Sequence, residues 1–258
     1  MGTEQEVIMK KTSYAFVIFI MFFVLLIAGN RQFDKDTIKT GGGDLVITFL
    51  GHGTLMFDFN KAVIYVDPFS RVADFSALPP ADLILITHHH GDHLDPEAIK
   101  PIRQEKTIII GTQKCVQQVE GCIVMNNGDE KTAAGFKIEA VPAYNILHKR
   151  ESGEPFHVKG EGNGYIITFG DKRVYVAGDT ENIPEMKGLK NIAVAFLPMN
   201  LPYTMTPEMT AEAARVFRPG ILYPYHYTDT DTKRLVELLK NEKDIDVRIR
   251  SLYPPAPK

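Results

Sequence analysis

A cluster of side chains that commonly bind metal ions stands out in the sequence. Residues 87–95 read Thr-His-His-His-Gly-Asp-His-Leu-Asp and follow directly on an apolar run at 83–86. Imidazole and carboxylate groups are preferred ligands of borderline divalent ions, zinc above all. Residues two apart in an extended chain face the same side, so His88 and His90 can bind one ion together while His89 points away. Asp92 and His93 follow on the turn, within reach of a second ion.

One loop cannot complete two coordination spheres, so further ligands are needed downstream. Asp179 lies in the segment Tyr-Val-Ala-Gly-Asp-Thr at 175–180, and His226 lies in Tyr-Pro-Tyr-His-Tyr at 223–227. Taken alone, such residues are more often a turn former or a structural histidine. Because both follow short apolar runs, as the first cluster does, we predict that they are metal ligands.

The elements that must position these side chains are short strands separated by tight turns. Consecutive β runs of this kind favour antiparallel or mixed sheets over strict alternation of strands and helices. Strands are predicted at 45–50, 55–59, 62–66, 81–86, 107–111, 122–125, 136–141, 165–169, 173–177, 192–197, 221–223 and 247–249. Helices are predicted at 96–102, 113–120, 206–217 and 231–240. The β-then-α order occurs twice, which is typical of two similar halves packed face to face.

The N-terminal region predicts a signal peptide or membrane anchor over residues 1–30. Lys10 and Lys11 precede the uncharged run 14–29, and positive charge before such a run directs the following domain out of the cytoplasm. We therefore expect an exported or membrane-anchored protein, with any membrane attachment made through residues 14–29. The polar stretch 31–44, with three consecutive glycines, predicts a linker to a globular domain at 45–258.

Composition narrows the range of partners. The chain has 258 residues and a net charge of −3, whereas proteins that bind nucleic acids usually carry a basic face. We therefore expect no nucleic-acid partner. The two cysteines, Cys115 and Cys122, do not form a Cys-x-x-Cys pair, so two buried thiols are favoured and a disulfide is left open.

The segment 88–93, His-His-His-Gly-Asp-His, resembles the HxHxDH signature of the metallo-β-lactamase superfamily, and Asp179 and His226 follow in the expected order. The segments 50–54, 65–68, 177–180 and 224–227 are similar to the ascorbate-6-phosphate-lactonase-like branch of its metal-dependent hydrolases. The resemblance extends over about residues 45–250. It implies an α/β (α+β) fold, a four-layer αββα sandwich with mixed sheets and with metal ions at one edge between them.

The same resemblance implies which residues bind which ion. It assigns one ion to His88, His90 and a third histidine, and the other to Asp92, His93 and His226, with Asp179 bridging both. The third histidine is expected just after a Val-Pro-Ala strand end, where this chain has Asn145. We predict Asn145 as the ligand in that position. An amide oxygen is a harder ligand than imidazole, so manganese or iron become alternatives to zinc. His148 and His157 lie close by in the sequence as substitutes.

These features predict a metal-dependent hydrolase with two divalent ions, zinc being favoured. The ions would activate a water molecule for attack on a small ester, lactone, amide or phosphodiester. Asp92 or Asp179 would take up the proton of this water. His226 or Tyr203 would stabilise the oxyanion that develops on the substrate.

Three further residues have predicted auxiliary roles. His52, in a glycine-flanked turn, and His157, in a glycine-rich stretch, are expected to contact the substrate. Asp67, next to a proline at a strand end, is expected to orient a ligand histidine. Two alternative functions are a membrane-associated phospholipase or phosphodiesterase with a lipid-like substrate, and a non-hydrolytic di-iron redox or metal-binding protein.

Overall fold

The computed structural model describes residues 33–252 of the chain. Fourteen strands in this range are numbered in chain order. They are β1 Asp34–Thr40, β2 Gly43–Gly51, β3 Thr54–Phe59, β4 Ala62–Val66, β5 Leu83–Leu85, β6 Ile108–Gly111, β7 Cys122–Val124, β8 Glu130–Ala133, β9 Phe136–Ala143, β10 Gly162–Phe169, β11 Lys172–Val176, β12 Ile192–Pro198, β13 Ile221–Tyr225 and β14 Asp246–Val247. The α-helices are α1 Pro96–Ile102, α2 Pro207–Phe217 and α3 Thr232–Leu239, and short 3-10 helices cover Phe75–Ala77, Cys115–Gln117 and Pro184–Gly188.

The strands form two mixed sheets with the same plan. The first sheet runs in the order β1-β2-β3-β4-β5-β6-β7, and the second in the order β14-β13-β12-β11-β10-β9-β8. Strands β1 to β4 and β8 to β11 pair antiparallel within their sheets. Strands β4 to β7 and β11 to β14 pair parallel. The two similar halves predicted from the repeated β-then-α order are therefore present.

Apolar side chains fill the layers of the sandwich. The central core lies between the sheets and contains a group of aromatic rings in mutual contact: Phe49, Phe57, Phe169, Phe196 and Tyr223. A second core lies between the second sheet and helices α2 and α3. On the far side of the first sheet, α1 buries Ala98, Ile99 and Ile102. The layers correspond to the predicted αββα sandwich.

Side-chain caps fix where the helices begin. Asp95, Thr206 and Asp231 each accept a hydrogen bond from a backbone N–H in the first turn of α1, α2 and α3. A proline follows the cap in α1 and α2, where its missing N–H costs no hydrogen bond. Asp95 also accepts from the hydroxyl of Ser70 at 2.5 Å, which links the end of the histidine-rich loop to the loop that follows β4.

The region between β6 and β7 is more tightly turned than predicted. A 3-10 helix at Cys115–Gln117 replaces the α-helix expected at 113–120. A Cβ added at Gly111 would meet Cys115 Cβ at 2.9 Å and Cys122 Sγ at 3.1 Å, so both cysteines pack against this glycine. Both are free thiols, and Cys115 is buried.

The first strand corrects the linker predicted at 31–44. Residues Asp34–Thr40 pair along their length with β2, so the compact domain begins at Asp34 and not at residue 45. The sequence did not reveal this strand because Ile38 is its one residue that is buried in the apolar core. An edge strand needs only one covered face and often carries charged side chains on the other.

Asp36 attaches this edge strand to the other sheet. Its carboxylate accepts hydrogen bonds from Arg250, with Nη2 2.7 Å from Oδ2 and Nε 3.0 Å from Oδ1. It also accepts from Arg248 at 3.3 Å and from the hydroxyl of Tyr223. Burial alone would raise the pKa of Asp36, but the hydrogen bonds from Tyr223 and Arg250 outweigh it and hold the pKa below its ordinary value.

The prediction of an exported or membrane-anchored protein is contradicted. The run 14–29, on which that prediction rested, lies outside the described residues. Within residues 33–252, none of the helices has the length and apolar character needed to cross a bilayer.

The Asp36 cluster generates a prediction about stability. Replacing Asp36 by Ala leaves the arginine and tyrosine donors without their acceptor, so the free energy of unfolding in urea at pH 7 should fall by about 2–3 kcal/mol. Because the pKa of Asp36 is lowered on folding, this contribution is complete above its ordinary value of 3.8 and is lost as the pH falls below it. The difference between wild type and variant should therefore shrink in acid.

Asp44→Ala is the matched control, because Asp44 lies on the neighbouring strand and its side chain forms an exposed ion pair with Lys39. This change should cost less than about 1 kcal/mol. Equal losses for the two variants at pH 7 would contradict the role given to Asp36.

Candidate metal centre

The predicted site residues converge on one edge of the sandwich. Asp67 follows β4, the segment 87–93 follows β5, Asp179 follows β11 and His226 follows β13. Strands β4 and β5 are parallel neighbours in the first sheet, as are β11, β12 and β13 in the second. The carboxyl ends of parallel strands meet at the same edge of a sheet, which is where open α/β sheets bind ligands.

One group of imidazoles comprises His88, His90 and His157. Their ligand atoms all lie within 4.8 Å of one another. Nε2 of His88 is 3.1 Å from Nδ1 of His90. Two nitrogens bound to one tetrahedral zinc ion at about 2.0–2.1 Å would be about 3.3–3.4 Å apart. The spacing is therefore close to that of two ligands of a shared ion.

Asn145 is not in the ligand position predicted for it. Its Oδ1 accepts hydrogen bonds from Nδ1 of His157 at 2.6 Å and from the backbone N–H of His157 at 3.0 Å. Its Nδ2 donates to Oε1 of Glu181 at 3.1 Å and to the backbone oxygen of Tyr203 at 2.9 Å. Both ends of the amide are engaged, so His157 offers the third nitrogen of this group, at Nε2, and Asn145 orients it.

Glu181 holds the loop that carries Asn145. Its buried carboxylate accepts hydrogen bonds from the backbone nitrogens of residues 146–148 at 2.8, 2.7 and 2.6 Å. Burial would raise the pKa of Glu181, but these bonds hold it below its ordinary value. An amide suits position 145 because it offers an oxygen to His157 and an N–H to Glu181. Nδ1 of His148 lies 2.9 Å from Oε1 of Glu181, and His148 belongs to none of the candidate metal groups among residues 33–252.

A second group comprises Asp92, His93 and His226, with His52 beside them. Their ligand atoms also lie within 4.8 Å of one another. Nε2 of His93 is 3.1 Å from Nε2 of His226. Nε2 of His52 is 2.9 Å from Oδ2 of Asp92, and the centroid of its ring is 3.7 Å from that of His226. His52 thus contacts two predicted ligands, and its contact with a substrate stays a prediction.

Asp179 lies between the two groups. Its Oδ2 is 3.3 Å from Nε2 of His157 and 3.7 Å from Nε2 of His226, and its Oδ1 is 3.5 Å from Nε2 of His93. The side chain is only 5% exposed, and Oδ1 has no hydrogen-bond partner among the described residues. A buried carboxylate oxygen without a donor is costly unless a cation compensates it. This oxygen and the imidazoles around it fit divalent ions between the two groups.

The protonation states of the imidazoles also suit cation binding. Burial and the neighbouring His157 lower the pKa of His90 to about 4, so its ring is neutral at pH 7. Burial and His93 lower the pKa of His88 well below its ordinary value. Burial would lower the pKa of His93 too, but the carboxylates of Asp179 and Asp67 raise it to about 10. The negative potential that retains this proton would equally attract a metal ion.

Asp67 orients two of the candidate ligands, as predicted for one of them. Its Oδ2 accepts from Nδ1 of His93 at 2.8 Å and from the hydroxyl of Thr87 at 2.6 Å. Because the Thr87 hydroxyl donates to Asp67, it can only accept from Nδ1 of His88, which is 3.0 Å away. The Nδ1 protons of both imidazoles are thereby fixed, and both rings present Nε2 to an ion, which at His93 would displace a proton.

Two cavities adjoin the centre, with volumes of about 430 and 350 Å³. Arg150, Phe156 and His157 line both of them. His89 lines the larger cavity but belongs to none of the candidate metal groups in the described part of the chain. Tyr203, predicted to stabilise an oxyanion, lines the smaller cavity and is 45% exposed. These volumes are typical of sites for small molecules.

Thr87, Glu181 and Arg150 were missed by the sequence analysis. Thr87 directly precedes the histidine cluster, and Glu181 directly follows the segment 175–180. Their closeness to predicted ligands was a usable signal. Arg150 lies in a loop whose folding over the centre no local pattern indicated.

Known proteins resemble this chain in sequence and in fold. Residues 46–226 match the family described as a β-lactamase superfamily domain. A UPF0173 metal-dependent hydrolase of Methanopyrus kandleri is 31% identical over 224 residues, which cover 81% of this chain and 96% of that protein. A crystal structure of a proposed metal-dependent hydrolase from Parabacteroides distasonis is 50% identical, covers 86% of this chain and all of its own (100%), and gives a TM-score of 0.82. A metallo hydrolase of Ignicoccus hospitalis is 25% identical, with coverages of 80% and 94% and a TM-score of 0.66.

The correction at Asn145 can be tested by metal titration. His157→Ala removes a candidate ligand and should abolish binding of one ion, whereas Asn145→Ala removes only its orienting partner. The affinity of Asn145→Ala for that ion should fall by about 10–100-fold, and the other ion should be retained. Competition with a chromogenic chelator measures both affinities.

Asn126→Ala is the control, because it removes the amide of an exposed asparagine whose side chain donates a hydrogen bond to Asp129 at the surface. It should bind both ions as wild type does. Retention of two tightly bound ions by His157→Ala, together with loss of one from Asn145→Ala, would restore Asn145 as the ligand.

Proposed function

The chain belongs to the metallo-β-lactamase superfamily and is a metal-dependent hydrolase, and we propose that it uses two zinc ions to hydrolyse a small ester, lactone, amide or phosphodiester. The observation that carries the proposal is the buried carboxylate of Asp179 between two groups of imidazoles. The proposed ligands of one ion are His88, His90 and His157. Those of the other are Asp92, His93 and His226. Asp179 would contact both ions.

The ligand chemistry supports zinc over manganese or iron. Asn145 was the reason to consider the harder ions, and its amide is occupied by His157 and Glu181. With His157 in its place, one ion would have three imidazole ligands and the other two imidazoles and a carboxylate. Imidazole-rich sites of this kind are typical of zinc, whereas manganese prefers oxygen ligands.

The residues of the chain have distinct roles in the proposed reaction. When bound, the divalent ions would lower the pKa of a water molecule and polarise the carbonyl or phosphoryl oxygen of the substrate. Oδ2 of Asp92 faces the imidazoles of His52 and His226 at 2.9 and 3.7 Å. The side chain of Asp92 is 40% exposed beside the smaller cavity. Its other oxygen, Oδ1, is therefore the atom proposed to accept the proton of the attacking water.

Two residues on the loop after β12 are placed to bind the substrate. Asn200 lines the smaller cavity, and its Oδ1 accepts from the hydroxyl of Thr228 at 2.7 Å, which leaves its amide nitrogen for the substrate. The phenol of Tyr203 lines the same cavity. We propose that these groups donate hydrogen bonds to the oxyanion or the leaving group.

No observation on residues 33–252 favours either alternative function, the membrane-associated phospholipase or the di-iron redox protein. The likeness to the ascorbate-6-phosphate-lactonase branch stays a prediction.

Substitution of Asp179 by a neutral residue tests the proposed hydrolase function. Asp179→Asn keeps the shape of the side chain but replaces the carboxylate, so both ions should bind more weakly and hydrolysis of the best substrate should fall by more than about 100-fold. The measurement is the rate of ester and phosphodiester hydrolysis by the full chain, stripped with chelator and then reloaded with zinc. Chelation should abolish activity and zinc should restore it.

His89→Ala is the matched control for metal content, because His89 lies inside the cluster but outside the proposed ligand sets. This variant should bind two ions per chain. If Asp179→Asn bound two ions as tightly as wild type and hydrolysed as fast, the proposed centre would be wrong.

A further inference from the structure

Arg150 projects from a small hairpin beside the metal centre. The hairpin joins β9 to β10 and is closed by pairing of Lys149 with Pro155 and by a hydrogen bond from Arg150 N to Glu154 O at 2.7 Å. The guanidinium lies 5.1 Å from the centre of the Phe156 ring and donates to the backbone oxygen of Phe156 at 3.4 Å. Both contacts keep the guanidinium beside Phe156, and Arg150 lines both cavities.

The charge of Arg150 is not neutralised within the domain. Among residues 33–252, no carboxylate forms an ion pair with its guanidinium, although Glu154 lines the larger cavity. Lys114, the other cation lining that cavity, is paired with Glu161 at 2.7 Å. A guanidinium offers five donors in a planar fork, and most of those on Arg150 remain for a ligand.

The charges of the metal-loaded centre also favour a negatively charged ligand. Two divalent ions would bring more positive charge than the carboxylates of Asp67, Asp92 and Asp179 cancel. Arg150 adds a further positive charge at the cavity that Asp92 and His226 also line. Such a field concentrates anions and repels cations.

Apolar side chains lie beside Arg150. The rings of Phe156 and Tyr203 are in contact, with centroids 5.0 Å apart, and both line the smaller cavity. Val158, which is 40% exposed, lines the larger one. Exposed aromatic and aliphatic groups at the wall of a cavity commonly bind the apolar part of a ligand.

We propose that Arg150 forms an anion subsite that binds a negatively charged group of the substrate next to the scissile bond, with an aromatic or short alkyl group of the substrate on Phe156 and Tyr203. The inference rests on the proposed function and narrows it to anionic esters. The charged group is either the phosphate of a phosphodiester or a carboxylate near an ester bond. Both groups present two oxygens that a guanidinium binds with a pair of parallel hydrogen bonds.

Steady-state kinetics of the zinc-loaded full chain test the subsite with three probes. They are bis(para-nitrophenyl) phosphate, mono(para-nitrophenyl) succinate and the neutral para-nitrophenyl butyrate. Arg150→Gln should raise KM about tenfold for at least one anionic probe, with little change in kcat and none for the neutral ester. Arg150→Lys should recover part of the loss, because it keeps the charge but not the fork. Which anionic probe responds identifies the source of the charge.

Lys149→Gln is the matched control, since it removes the same charge from the adjacent residue, which lines neither cavity. It should leave KM for all three probes unchanged. Equal effects of Arg150→Gln and Lys149→Gln, or an equal effect of Arg150→Gln on the neutral ester, would overturn the subsite.

Binding of dimethyl phosphate and of propionate, measured by calorimetry, separates failure of the subsite from failure of the proposed function. If wild type hydrolyses no probe but binds one of these anions about tenfold more tightly than Arg150→Gln does, the subsite stands and the hydrolysis proposal fails. If wild type hydrolyses the neutral ester and Arg150→Gln binds both anions as tightly as wild type, the function stands and the subsite is wrong. Absence of anion binding by wild type also overturns it.

Discussion

The negative charge of Asp179, buried among imidazoles, is the constraint that shapes the site. The side chain is 5% exposed, its Oδ1 accepts no hydrogen bond among the described residues, and imidazole nitrogens surround the carboxylate at 3.3 to 4.0 Å. The pKa of His93, raised to about 10, lets one imidazole compensate part of this charge as a cation, and a divalent ion would compensate it more fully. The centre is therefore built for ions, and its surroundings can be understood as the means of keeping the ligands in place.

The fold meets this constraint with strand ends and a shell of polar contacts. Residues that follow strands of both sheets meet at one edge, and three of them, His52, Asp67 and His226, have φ values of 53°, 47° and 48°. This left-handed backbone costs about 1–3 kcal/mol for a residue other than glycine, and such strain is concentrated at functional sites. Asp67 and Asn145 then fix the orientation of the rings, each accepting from an Nδ1 so that Nε2 faces the centre.

Local sequence patterns were enough to nominate most of the candidate ligands. One loop carries His88, His90, Asp92 and His93. Two further candidates, Asp179 and His226, each follow a short apolar run. The exchange of Asn145 for His157 was not predictable, because it depends on how a loop without a strand or helix pattern folds back twelve residues later. Strand β1 was missed because only Ile38 in it is buried, and the partners of its Asp36, Arg248 and Arg250, lie at the opposite end of the sequence.

In the proposed centre two ions bind, with His157 as a ligand and Asn145 behind it. Anomalous diffraction at the zinc edge, from crystals of the zinc-loaded chain, tests this arrangement. We expect two peaks about 3.5–4 Å apart, with Asp179 in contact with both. One peak should lie about 2.0–2.1 Å from nitrogens of His88, His90 and His157, and the other at that distance from His93 and His226. No peak at this edge of the sandwich, or a peak bonded to the oxygen of Asn145 and not to His157, would contradict it.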